Sequence, residues 1–429
     1  MVRLQNAPQK LLALAAGVVW LMPPAPLRAF QPARPNPADP DLRVLLLQGD
    51  VVRVRPAAVA AGLRLRDGQG RLLQELGNTE VLQLEPAALE TGRELWLEAV
   101  GTPAEPDPGL WLQQRRYRGR LQVRLEGGKL QVVNHVPLET YLTSVVGSEM
   151  PASWPQEALR AQAVAARTYA LKTRKPAGLF DLRATTASQV YKGVEAETPS
   201  TQAAVQGTRG LVLTYNDALI EAVFHSSSGG STESSGNLWA KQLPYLVSVP
   251  DFDQASPVRD WRQPLDRQQL RKAFPELGEV RAIDVLSSTP TGRVRQARVQ
   301  GAQGQLLLSG AQLRQRLGLK STWVRFEQEQ AASATATATA TASQPLFEGL
   351  AFSVLPPPPL PSQPLPSPAL QLVAVGRGFG HGIGMSQWGA LAMAQQGQSY
   401  GSILSHYYRG AQLRTFSDLS GTSVAAGGL

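Results

Sequence analysis

At 429 residues, 43% hydrophobic and 17% charged, the chain is long enough for one large domain or two ordinary ones with filled cores, which sets aside a disordered or fibrous protein. The net charge of +9 favours anionic polymers, yet no dense Lys/Arg run or aromatic–basic alternation points to nucleic acid, so no nucleic-acid partner is expected. Cysteine is absent, which excludes disulfide staples, thiolate nucleophiles and every Cys-containing zinc site.

Residues 1–29 read as an export signal. Arg3 and Lys10 precede an uncharged apolar run from Leu11 to Met22, and Leu27-Arg-Ala29 offers a small-residue cleavage site. The apolar run is shorter than the ~20 residues of a comfortable membrane span; an uncleaved N-terminal anchor is the alternative. No later run is comparably hydrophobic, so the expected location is outside the cytoplasm, in periplasm or cell wall, with no transmembrane span after processing. Residues 30–41 form a Pro-rich tether (FQPARPNPADP and its neighbour).

From Leu42 to Val136 the pattern is β. Strands are expected at Leu42–Leu47, Val51–Arg55, Leu63–Arg66 and Glu94–Glu98, and a hairpin joins Arg120–Glu126 to Lys129–Val133 through Gly127-Gly128. A helical block follows. Pro137 suits a first helical turn, Leu138, Leu142 and Val145 share a face, and Gly147 is expected to end that helix. A second helix is expected after Pro151, with Ser153 as N-cap and Gln156 completing a capping box. Leu159, Ala163, Ala166 and Ala170 recur in it at helical spacing. Residues 328–370 are low in complexity, first Ala/Thr-rich and then Pro-rich, and read as a disordered insertion. The remaining stretch to residue 415 begins with a strand at Leu372-Val-Ala-Val and reads as a piece of the preceding fold, with 416–429 a tail. The expectation is an α+β mixed fold: a β-rich N-terminal part (42–136), a core (137–327 and 371–415), and the insertion, all one domain over 42–415.

Four segments carry side chains capable of chemistry: Gly147-Ser-Glu149-Met-Pro151-Ala-Ser-Trp154-Pro155; Ser188-Gln-Val-Tyr191-Lys-Gly193; Phe224-His225-Ser226-Ser-Ser-Gly229-Gly230 with Trp239 beyond; and Gly376-Arg-Gly-Phe-Gly-His381-Gly-Ile-Gly-Met-Ser386-Gln387-Trp388. Each has an ordinary reading as well: a surface glutamate, a core histidine, a turn. The alternating glycines do not fit Gly-x-Gly-x-x-Gly, since His381 and Ile383 stand where a third glycine belongs, and so a dinucleotide site is disfavoured. His-Glu-x-x-His is absent among four scattered histidines, and Gly-x-Ser-x-Gly is absent too, against a zinc peptidase and a serine hydrolase.

Together these segments, with Tyr141-Leu, Val145-Val, Glu157-Ala-Leu and Ala161-Gln-Ala-Val-Ala-Ala-Arg-Thr-Tyr169, resemble the SpoIID/LytB family, named for stage II sporulation protein D and an amidase enhancer. The resemblance covers about residues 42–415 and is strongest from Val136 onward. It implies a lytic transglycosylase acting on peptidoglycan glycan strands, with Glu149 as acid/base. Because members also include enhancers of a wall amidase, it equally admits a non-catalytic wall-binding activator with an amidase as partner. Some members hold zinc through Cys and His beside the Phe-His-Ser segment; this chain has Ser and Gly there, so no metal and no cofactor are expected.

The chemistry suits a buried carboxyl group. Cleaving a β-1,4 glycosidic bond needs a proton on the leaving oxygen, and a free glutamate, with a pKa of about 4.3, is ionised at neutral pH. Burial beside apolar groups such as Met150 and Trp154 keeps it protonated. A hydrolase needs a second carboxylate, whereas a lytic transglycosylase manages with one, because the muramic 6-hydroxyl attacks internally. The expected substrate contacts are His225, Ser226, His381 and Gln387 for hydroxyl and acetamido groups, and Tyr191, Trp239 and Trp388 for sugar faces. Arg167 is expected either to orient Glu149 or to pack structurally.

Overall fold

Alternating apolar and polar residues dictate the N-terminal part, as expected. The computed structural model describes residues 39–57, 60, 62–90, 93–330 and 370–419. In it a seven-stranded sheet runs in the order Leu182–Arg183, Asp41–Gly49, Lys129–Pro137, Arg120–Glu126, Glu94–Val100, Gly62–Asp67, Leu72–Gly77. Neighbours are antiparallel except the first pair, where Val44 lies beside Leu182 in parallel. The Gly127-Gly128 hairpin is present, with Glu126 opposite Lys129 and both glycines at positive φ (56° and 77°), the left-handed conformations a tight two-residue turn requires. A smaller sheet joins Leu82–Leu84, Val52–Pro56, Leu110–Leu112 and Arg115–Tyr117.

The helices are, in chain order, α1 (Leu138–Glu149), α2 (Gln156–Thr173), α3 (Pro199–Gln206), α4 (Ser235–Leu238), α5 (Arg267–Ala273), α6 (Gly310–Leu317), α7 (Gln387–Gln395) and α8 (Tyr400–Tyr407). The small residues of α2 have a larger consequence than one packed stripe. Ala158, Ala161, Ala163, Ala165, Ala166 and Ala170 are all buried, so the helix is covered nearly all round, by α1, α3, α7, α8 and the strand Leu211–Tyr215. Side chains no longer than a methyl group let several elements approach one axis closely. The fold is α+β and mixed.

The single domain expected over 42–415 is divided into two compact units, one of Met1–Ser256 with Gly382–Leu429 and the other of Pro257–His381. The second unit has two three-stranded sheets, Asp260–Leu265, Leu370–Arg377, Val324–Gln330 and Val280–Ser288, Val294–Gly301, Gly304–Ser309, with α5, α6 and a core of its own around Phe274, Val299 and Leu313. The low-complexity segment falls between two directly paired strands, Gln330 lying opposite Leu370. The export signal (1–29), most of the tether (30–41), the body of the insertion (328–370) and most of the tail (416–429) lie outside the described residues. Among the described residues no helix is long and apolar enough to cross a membrane.

Candidate active site

Glu149 is the last residue of α1. The helix runs through Gly147 rather than stopping there. A Cβ at that position would stand 2.0 Å from the carbonyl oxygen of Ala196, so the glycine permits close approach of a neighbouring segment. The helix ends instead at Met150, extended at φ −129° and ψ 143°, whose N–H bonds Val146 O at 2.9 Å. Pro151 follows, which disfavours helical backbone at the residue before it. Pro155, not Ser153, takes the N-cap of α2 and makes no side-chain cap; Gln156 turns its amide to Ser200. The expected capping box is absent, because a proline at the N-cap has neither a side-chain oxygen to accept nor an N–H to donate.

Two further segments close around this helix end. The loop Ser188–Gly193 is pinned to α1 and α2. The Val190 N–H donates to Glu149 Oε1 at 2.8 Å, Lys192 N–H to Ser148 Oγ at 3.3 Å, and Ser144 Oγ to Gly193 O at 2.7 Å. Gln189, fully buried, accepts from the Tyr141 hydroxyl (3.0 Å) and donates to Ala166 O (3.2 Å), bridging the two helices. The other segment arrives through a short parallel pairing, Phe224–His225 with Met385–Ser386. Gly384 makes that pairing feasible: it has φ +73°, and a Cβ there would meet Val223 O at 2.1 Å. Ser386 then caps α7 by accepting the Gly389 N–H, and Gln387 and Trp388 follow in the first turn.

Gln387 Nε2 donates to Glu149 Oε2 at 3.2 Å, while the Trp388 N–H donates to Ser226 O at 3.0 Å. The indoles of Trp388 and Trp154 meet edge to face, centroids 5.1 Å apart, and Met150 is buried. Both carboxylate oxygens of Glu149 are therefore held, one by a backbone amide and one by a side-chain amide. Burial raises the Glu149 pKa above its ordinary value; the Val190 and Gln387 hydrogen bonds and the charge of Lys192 oppose that rise without cancelling it.

The structure brings together Glu149, Gln387 and Trp388, with Ser226 supporting them through its backbone rather than its hydroxyl. Other sequence-derived assignments need correction. Arg167 is fully buried and pairs with both oxygens of Glu139, Nε to Oε1 at 2.8 Å and Nη2 to Oε2 at 2.7 Å, which is the structural one of its two expected roles and not that of a substrate contact. Tyr191, 2% exposed, stacks with Tyr117 and Tyr141 and donates its hydroxyl to Asn134 Oδ1, leaving no face for a sugar. His225 is buried, with Nδ1 3.2 Å from Ile383 O. Trp239 is exposed at the C-terminal end of α4, outside the contacts that gather Glu149, Gln387 and Trp388. His381 belongs to the second unit and not to the unit that holds Glu149.

Sequence reasoning missed four groups. The Val190 amide carries no side-chain signal. Gln162, on α2, is one residue of the Ala161–Tyr169 segment and carried no signal of its own; it is fully buried, and its Oε1 lies 3.5 Å from Gln387 Nε2. Asp251 and Asp253 are buried carboxylates that take the hydroxyls of Ser228 and Ser227 respectively and so fix the Ser-Gly turn after His225.

The chain is similar to several known proteins. Residues 126–215 match the family model described as Stage II sporulation protein, a span holding α1, α2 and the loop at Val190. An amidase enhancer from Bacillus subtilis (strain 168) is 34% identical over 299 residues, covering 64% of this chain but only 40% of that protein's length. Stage II sporulation protein D of Bacillus amyloliquefaciens is 33% identical over 306 residues, 66% of this chain and 75% of that one. Its counterpart from Bacillus subtilis (strain 168) is 32% identical over 304 residues, 66% and 76% of the two chains. Identity of this order over three quarters of those proteins, with Glu149 inside the matched span, makes the chain a member of the stage II sporulation protein D family.

Proposed function

We propose that the protein is an exported lytic transglycosylase that cleaves the β-1,4 bond between N-acetylmuramic acid and N-acetylglucosamine in peptidoglycan, with Glu149 as its one acid/base. The observation that carries this reading is a carboxyl group at a rigid helix end whose pKa is raised by burial and whose hydrogen-bond partners are both amides. Protonated Glu149 gives its proton to the glycosidic oxygen as that bond breaks. The resulting carboxylate takes the proton of the muramic 6-hydroxyl as that oxygen closes on C1. The 1,6-anhydro ring forms and the acid is restored, so no second carboxylate and no water are consumed. Gln387 and the Val190 amide hold the carboxyl group in place through both states. The paired indoles of Trp154 and Trp388 offer apolar faces to a sugar ring beside it.

The test is mass spectrometry of purified glycan strands after incubation with the purified protein. The expected result is 1,6-anhydro ends, and a loss of about a thousandfold in their rate of formation for Glu149→Gln. Undiminished cleavage by that variant would remove Glu149 from the role. The second reading, a non-catalytic activator of a wall amidase, is favoured by the name of the amidase enhancer that this chain resembles. It predicts no anhydro product alone and faster release of stem peptides when an amidase is added.

A further inference from the structure

Within the first unit, a surface groove of about 700 Å³ opens between the C-terminal end of α7 and α8, with Phe252, Gln396, Gln398, His406 and Arg409 among its walls. That volume is in the range of small-ligand sites, ~300–1,000 Å³. Gln396, Gln398 and Arg409 are exposed, and among the described residues their side chains have no protein partner. None of the lining residues is acidic, so the Arg409 guanidinium is a cation without a counter-ion. Its backbone is nevertheless anchored, the N–H donating to Tyr245 O at 3.1 Å. The His406 ring is held through Nε2 by Pro250 O at 2.8 Å and lies against Phe252, centroids 5.5 Å apart. The amides that open α8 are already spent, Tyr400 N–H on Glu157 Oε2 at 2.7 Å and Ser402 N–H on Ser399 Oγ at 3.2 Å. The groove therefore offers side chains and not a helix end.

Its place relative to Glu149 follows from α7. That helix begins at Gln387, which holds Glu149, and its nine residues carry the chain about 13 Å to the groove. Alongside it, Trp154 meets Trp388, and Glu157, three residues on, receives the start of α8. A strand lying over the indole pair thus has the groove within reach along α7. The free groups suit an acidic sugar. A guanidinium fork pairs a carboxylate through two hydrogen bonds, planar amides pair hydroxyl and acetamido groups, and an aromatic face takes a sugar ring. A peptide is held instead by a free strand edge or by apolar pockets, whereas helix ends and polar side chains make up most of this wall. We propose that the groove is a second glycan subsite, which takes a carboxylate-bearing N-acetyl sugar of the strand at a distance from the bond beside Glu149, with Arg409 on the carboxylate. That the ligand is a wall strand rests on the proposed function; binding in the groove does not require that Glu149 cut it.

The test is calorimetric titration of the full-length protein carrying Glu149→Gln, so that on the proposed function the ligand stays whole. The probes are peptide-free glycan strands with muramic carboxylates, uncharged N-acetylglucosamine oligomers of equal length, and free stem peptides. Adding Arg409→Met should weaken binding of the muramic strands about tenfold and leave the affinity for the uncharged oligomers unchanged. Gln398→Glu, close in shape and exposed, should weaken the same strands by repelling their carboxylates, and it decides the matter should Arg409→Met fail to fold. Unchanged affinity for muramic strands in the folded variant overturns the proposal. So does an equal loss for the uncharged oligomers, or tighter binding of stem peptides than of strands. Failure of the proposed function looks different: wild-type protein leaves strands uncut, while Arg409→Met still weakens their binding.

Discussion

Glu149 carries its consequences for pH in one carboxyl group. Its folded pKa is raised by burial, so the ionised form is the disfavoured one in the native state. Native stability from this group is full at low pH and declines as pH rises through the raised pKa, the reverse of a salt-bridged carboxylate. Glu149→Gln should therefore unfold at a higher temperature than wild type above that pKa, with the difference vanishing in acid, as read by calorimetry across a pH series. Cleavage should fall in the same window, since a general acid must be protonated to act. At this scale the sequence was partly legible. Glu149, Gln387 and Trp388 stood in segments whose residue types announced chemistry. Arg167 and Tyr191 stood in equally suggestive segments and turn out to be core groups, because a sequence shows what a side chain can do and not which way it points. The Val190 amide had no signal at all, since every residue but proline carries one.

The elements that hold the site are α1 and α2, and they are tied at their far ends by an ion pair. Glu139, in the first turn of α1, accepts from Arg167 of α2 with both oxygens and from the Gly210 N–H at 3.3 Å, while Arg167 also donates to Leu211 O at 3.2 Å. With Arg167 fully buried and Glu139 nearly so, removing one partner leaves a charge without its counterpart in the core. Arg167→Met should destabilise by about 3–5 kcal/mol in chemical denaturation, and adding Glu139→Met should recover part of that loss. Helix boundaries were less legible than helix existence. Gly147 looked like a stop and is a packing residue, since its role depends on Ala196, nearly fifty positions away. The alanine spacing of α2 indicated one buried face, but burial on every side follows from how many elements converge on it, which local periodicity does not encode. The Gly127-Gly128 hairpin, by contrast, depends on neighbouring residues alone and is where the pattern put it.

Across the whole molecule, the chain leaves the first unit after Ser256, forms a second with its own core, and returns at Gly382. That division was not legible in the sequence, because the returning strand and the glycine-rich segment read as one continuous motif. Its low-complexity interruption has a clearer placement: Val324–Gln330 and Leu370–Arg377 are paired along their full length up to Gln330 and Leu370. Two facing ends of an antiparallel pair need only a short turn to join them. Replacing residues 331–369 by Asn-Gly should therefore leave the melting behaviour and glycan cleavage near wild type, as measured by calorimetry and by anhydro-product formation. The return at Gly382 has one more consequence. Gln387 and Trp388 reach Glu149 only after every residue of the second unit has been made, since the strand just before them, Met385–Ser386, pairs in parallel with Phe224–His225, some 160 positions earlier. A ribosome-bound or prematurely terminated chain that ends before Gln387 thus carries a glutamate with no glutamine to hold it. On the proposed function, such a chain would hold the acid without the amide that positions it, and so would not yet cut glycan.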